Sequence, residues 1–251
     1  MALFKSGNPT LSEKFFQKHL QAGSDEVMTE RGTLNKFGFL FLMVLAGAAF
    51  AWNAFYQGKD VFPWMIGAAI GGLIVALVIC FKPKWSPYLA PAYGLLEGVF
   101  VGAISAYFNF AFAETAPGIV MQAVGLTFGV VIAMFLLYNF GVIKATQRFK
   151  SIVITATAGI ALFYALAMIL RLFNIQMPLI HDSGMWGIGF SLLVVAIAAM
   201  NLILDFDMIE QGSAMGAPKY MEWYGAFGLM VTIIWLYIEI LRLLSKLNSR
   251  N

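Results

Sequence analysis

Charge is scarce in this chain: only 12% of its 251 residues are Asp, Glu, Lys or Arg, about half of what a soluble domain carries. So few charges cannot clothe a water-soluble protein of this length. Cysteine is nearly absent as well, and Cys80 alone can form no intrachain disulfide. A buried structural thiol is its expected role. The two histidines, His19 and His181, fall in an expected tail and loop, so no Cys/His cluster can hold a resident metal or serve a hydrolase. Asp182 beside His181 makes no dyad, because chain neighbours in a loop seldom point together. The first 36 residues carry charge of both signs and no apolar run of signal-peptide length, so the chain is expected to insert by its first span without cleavage.

What is abundant is hydrophobicity, at 61% of residues and a mean hydropathy of +0.80. That composition defines a polytopic membrane protein. Each crossing needs about 20 apolar residues, and the runs place seven spans near 37–56, 62–81, 89–112, 118–140, 151–173, 185–209 and 223–244. The expected organisation is an all-α membrane protein, with a cytoplasmic tail over residues 1–36 and one seven-helix transmembrane domain over 37–247. Within the tail, TLSEKFFQKHL either forms a short amphipathic helix with Leu11, Phe15 and Phe16 on one side or is a plain cytosolic segment.

The small residues Ala46–Ala49 in span one, and Gly67, Gly71 and Gly72 in span two, predict close helix packing in lipid. Pro87 and Pro91 predict a break before span three. The glycines and Pro218 between Glu210 and Glu222 predict a turn before span seven.

Basic residues orient the spans. Eleven Lys and Arg lie in the tail and in the loops after spans two, four and six, whereas the opposite loops hold only Lys59 and Arg171. The N-terminus is therefore expected in the cytoplasm. The formal charge of +3 serves this orientation and is no sign of a nucleic-acid partner. Seven full crossings export the C-terminus, yet Arg242, Lys246 and Arg250 argue for keeping it inside. That conflict leaves open a broken or re-entrant last segment.

The functional candidates are carboxylates at membrane depth, which are costly there and mark proton or ion pathways. Asp205 and Asp207 close span six, Glu239 lies in span seven and Glu97 in span three. Asp205 and Asp207 stand about 200° apart on a helix, so only one can face a given partner. Residue 222 is the midpoint of Asp205 and Glu239, and equal arms from a turn there place the two at comparable depth. A close pair shares a proton and behaves as a pH-dependent latch. The alternative is that each acid finds its own cation, Arg171 or Arg242 for example. Asp207 either caps the helix end in water or modulates the site. Glu210 is expected in the headgroup region.

The segments LDFDMIE, LYIEILRLL and YGLLEGVFVG, with GNPTL, GTLNK and APKYMEWYGAFGLM, resemble the Bax inhibitor-1 (transmembrane Bax inhibitor motif) family, in its bacterial subgroup with an extended tail. The resemblance covers nearly the whole chain. It implies a seven-transmembrane helical bundle with the last helix central and wrapped by the other six, in the bacterial inner membrane, working as a pH-sensitive calcium leak. It further implies that Asp205 and Glu239 form the pH sensor and gate and bind calcium transiently, and that Glu97 lines the cation path. Calcium and protons would be the cargo and the signal, with no cofactor. The chain departs from that family in carrying glutamate at 239 and a second acid at 207.

Calcium favours several oxygen ligands in a flexible site, and carbonyls freed near Gly98 and Gly102 are the expected supplement to the carboxylates. Two other functions fit the composition. One is a membrane-embedded partner restraining a protease or a cell-death complex through the tail and the linker 210–222. The other is a proton-coupled transporter. Paired carboxylates could also cut peptides within the membrane, but no further motif supports an enzyme.

Overall fold

The computed structural model describes residues 26–173 and 184–249, and these residues form seven helices long and apolar enough to cross a membrane. They are α1 (Glu30–Tyr56), α2 (Phe62–Phe81), α3 (Ser86–Ala111), α4 (Ile119–Asn139), α5 (Gln147–Leu172), α6 (Met185–Ala214) and α7 (Met221–Asn248), with a short 3-10 turn at Pro83–Trp85 before α3. No strand occurs among the described residues, only an isolated antiparallel bridge between Val27 and Pro218. His19, His181, Asp182 and the TLSEKFFQKHL segment lie outside the described residues.

Three expectations change. Helix α1 starts at Glu30 instead of Phe37, because Thr29 caps it by accepting a hydrogen bond from the Gly32 amide at 3.0 Å. Part of the expected tail is thus helical. Pro91 lies inside α3 and does not interrupt it. Its missing N–H removes one helical bond, a loss that helices in lipid tolerate when neighbours pack around it. The last segment is neither broken nor re-entrant: α7 is continuous over 28 residues, about 42 Å at 1.5 Å per residue.

The described chain divides into two compact units, residues 26–111 with 205–231, and residues 112–204 with 232–249. In the first, α1 and α3 pack through glycine. A side chain at Gly98 would overlap the Val44 carbonyl, one at Gly102 the backbone of Ala48, and one at Gly94 would meet the Leu40 carbonyl at 3.2 Å. Reciprocally, a side chain at Gly47 would meet the Val99 amide at 2.9 Å. Such close backbone approach is how helices associate in lipid, where hydrophobicity alone gives no drive. Helix α2 joins through Gly71 and Gly72, which lie over Leu96 and Glu97, whereas Gly67 faces open space. Ile70, Leu73, Ile74 and Leu77 on α2 are exposed and suited to lipid.

In the second unit, Ile160 of α5 packs on Val194 and Ile197 of α6, flanked by Tyr164, Phe190 and Trp235. Asn201 donates to the Thr157 hydroxyl at 2.8 Å, and the buried Lys246 ammonium donates to the Gly187 carbonyl at 3.0 Å. The most enclosed helices of the seven are the last two, with 61% of the apolar window of α7 and 56% of that of α6 buried.

Candidate functional site

Helix α6 reaches its carboxylates through an apolar run, Leu202, Ile203 and Leu204, all fully buried. Asp205 follows that run and is 0% exposed. Asp207 is half-buried, and its Oδ2 accepts from the Gln211 side-chain amide one turn later at 2.8 Å. Glu210 is exposed. The two-residue spacing has therefore put one aspartate in the interior and the other where a local hydrogen bond serves it.

Glu239 sits on α7 and is 1% exposed. The Tyr164 hydroxyl of α5 donates to its Oε1 at 3.0 Å, the Trp235 indole donates one turn earlier, and Arg242 Nη1 reaches both oxygens at 3.0 and 3.2 Å. Arg242 also donates to the Tyr164 oxygen at 2.7 Å, with its guanidinium 5.2 Å from the ring centroid. These contacts close a ring: Arg242 holds Glu239 directly and again through Tyr164. A carboxylate inside an apolar helix must be satisfied in this way, because an unpaired charge there is prohibitively costly. The separate ion pair that the sequence leaves open is the arrangement found at Glu239, with Arg242 as the cation. Arg171, the other candidate, is exposed in the last turn of α5.

The equal arms expected from a midpoint at residue 222 are not present. The turn occupies residues 215–220, where Gly216 adopts φ +67° and Met221 already begins α7. Asp205 is then about 14 Å along α6 from its end, while Glu239 is about 27 Å along α7 from its start.

Glu97 is half-buried on α3, accepts a hydrogen bond from the Tyr93 hydroxyl one turn earlier, and lies over Gly72 of α2. Beside it, Gly98 and Gly102 are covered by the α1 backbone. The expectation that carbonyls are freed there for an ion is corrected, because the helix runs unbroken from Ser86 to Ala111 and these glycines serve helix contact. Among the described residues no three or more Asp, Glu, His or Cys side chains cluster to hold a metal ion. The acids are chemically suited to passing protons or weakly attracting a cation one or two ligands at a time.

Sequence reasoning missed Tyr164 and Trp235 at Glu239, and it missed a third buried carboxylate, Glu222, in the first turn of α7. A tyrosine on an apolar helix carries no signal of its partner. The spacing of Trp235 one turn before Glu239 did carry one.

These features define a polytopic helical membrane protein whose last two helices bury carboxylates. The chain belongs to the Bax inhibitor 1 like family, which it matches over residues 8–249. No curated protein and no solved structure matches it.

Proposed function

We propose that this protein is a pH-sensitive calcium leak of the bacterial inner membrane, N-terminus in the cytoplasm, with Asp205 and Glu239 as its proton-responsive gate. The observation that carries the reading is the burial of Glu239 in a ring with Arg242 and Tyr164 inside a membrane-crossing helix. With Glu239 ionised, the ring ties α5 to α7 and the pathway is closed. Protonation removes the charge that Arg242 balances and leaves a guanidinium that must seek water or another anion, which loosens the tie. The population then shifts towards a conducting state by the difference in proton affinity between the two states. Asp205 is the second buried acid of the gate, Glu97 lines the cation route and Asp207 modulates it. Weak, oxygen-only coordination suits passage of calcium, since an ion held too firmly does not leave.

Calcium flux into proteoliposomes containing the full chain tests this. Flux is expected to rise as pH is lowered, and Asp205→Asn with Glu239→Gln is expected to flatten that dependence. A double variant whose flux follows pH as the parent does would sink the gate.

A second reading, a membrane-embedded partner of a protease or cell-death complex, is favoured by one observation. The two stretches it would use are joined: the Met28 amide donates to the Ala217 carbonyl at 2.6 Å and the Lys219 amide to the Glu26 carbonyl at 3.2 Å. Removing residues 1–25 separates the two readings, because loss of regulation with intact flux supports the partner.

A further inference from the structure

Residues 26–29 run antiparallel to residues 217–219 and are fastened there by side chains as well as backbone. The fastening centres on Glu222, which is 0% exposed. Its Oε1 accepts from the Thr29 amide at 2.9 Å and from the Thr29 hydroxyl at 2.9 Å, and lies 3.2 Å from the Lys219 ammonium. Its Oε2 is paired with Lys36 of α1. Lys36 also lies over the Trp223 ring, 5.6 Å from its centroid. Gly32 completes the pocket, since a Cβ there would overlap the carboxylate itself. Met28, 1% exposed, and Thr33 lie against Gly225 on the next turn of α7.

We propose that residues 26–29 are a strap and Glu222 the clip that closes it, so that the segment ahead of α1 holds the start of α7. Three features argue for a device beyond a satisfied carboxylate. The clip draws its donors from three stretches, the strap (Thr29), α1 (Lys36) and the linker (Lys219). One carboxylate therefore ties all three to the start of α7. The glycine at 32 is required by the clip and not by α1, because alanine is the better helix former by about 1 kcal/mol. The strap pairs through a single bridge, with Val27 half exposed, and Met28 is the one strap side chain that is buried, so its release uncovers one core residue. As a control on the gate, the strap rests on the leak reading: α7 carries both Glu222 near its start and Glu239 further along.

The test uses the full-length protein with Val27→Cys and Pro218→Cys in a Cys80→Ala background. Facing residues of an antiparallel bridge are close enough for a disulfide. Oxidation is expected to cross-link most of the parent. Gly32→Ala, which displaces the clip with its charges intact, and Glu222→Gln, which keeps its shape without the charge, are each expected to lower the cross-linking rate at least tenfold. Gly38→Ala, which meets only open space, is expected to leave it unchanged. In proteoliposomes, the oxidised pair is expected to reduce calcium flux at least threefold, with recovery on reduction. Cross-linking that is equally fast in Gly32→Ala and Glu222→Gln overturns the clip. Flux that ignores the cross-link in a protein that does leak overturns the control. A protein that carries no calcium at any pH, yet cross-links as expected, keeps the strap and refutes the leak.

Discussion

At Glu239 three donors converge on one buried carboxylate, and the strength of that site depends on Arg242 more than on the other two. Tyr164 and Trp235 are neutral donors, each of which contributes about 1 kcal/mol net, whereas Arg242 supplies the balancing charge. Removing the cation strands a buried anion, which costs about 3–5 kcal/mol. The lower end applies here because the Arg242 side chain is 31% exposed. Arg242→Met is therefore expected to lower stability by about 3 kcal/mol, and adding Glu239→Gln is expected to restore most of it, since the stranded charge is then gone. Unfolding in detergent, followed for both single variants and the double, measures the coupling. A double variant as unstable as the two losses summed would mean that the pair is not coupled. The local sequence carried half of this site: Glu239 and Arg242 are three residues apart on one helix and so are neighbours. Tyr164 lies in a different helix, and only the packing of α5 on α7 brings its hydroxyl to the pair.

At the scale of the helix pair, α1 and α3 are joined by backbone contact at glycines spaced four apart, Gly94, Gly98 and Gly102. One side chain in that seam must push the helices apart, at a cost of about 1–3 kcal/mol. Gly98→Ala is expected to lose that much, while Gly159→Ala, which meets open space on α5, is expected to be neutral or slightly stabilising. Thermal unfolding of the two side by side distinguishes contact from composition. The four-residue spacing of Gly94, Gly98 and Gly102 is visible in the sequence. The pattern does not say which helix covers it. The ends of helices were similarly half legible. The apolar run of α2 matched its bounds, but α1 and α5 begin earlier than their hydrophobic runs because Thr29 and Thr146 cap polar first turns.

Across the whole molecule, the charge conflict at the C-terminus resolves once the helices are seen. Arg242 belongs to the Glu239 ring and Lys246 is buried on the Gly187 carbonyl, so neither is a loop charge of the kind that holds a terminus in the cytoplasm. If all seven helices cross the membrane, a continuous α7 puts the two ends on opposite sides. In bacterial spheroplasts, with Cys80→Ala, a cysteine added after Asn251 is expected to react with a membrane-impermeant thiol reagent. One placed before residue 26 is expected to react only after lysis. Equal reactivity at both ends would overturn the topology.

Composition, hydropathy and helical spacing by themselves determined the membrane class, the seven crossings, the turn before α7 and the opposed settings of Asp205 and Asp207. These depend on the polarity of short segments and on the helical repeat, both of which are local quantities. Tertiary structure decided which distant groups reach the buried acids: Tyr164 at Glu239, and Thr29 and Lys36 at Glu222. A carboxylate in an apolar helix announces from sequence that it needs partners, because the cost of burying it alone is so large. Which partners it takes beyond its own turn depends on the packing of helices distant in the chain, and that is fixed only when the backbones close on one another.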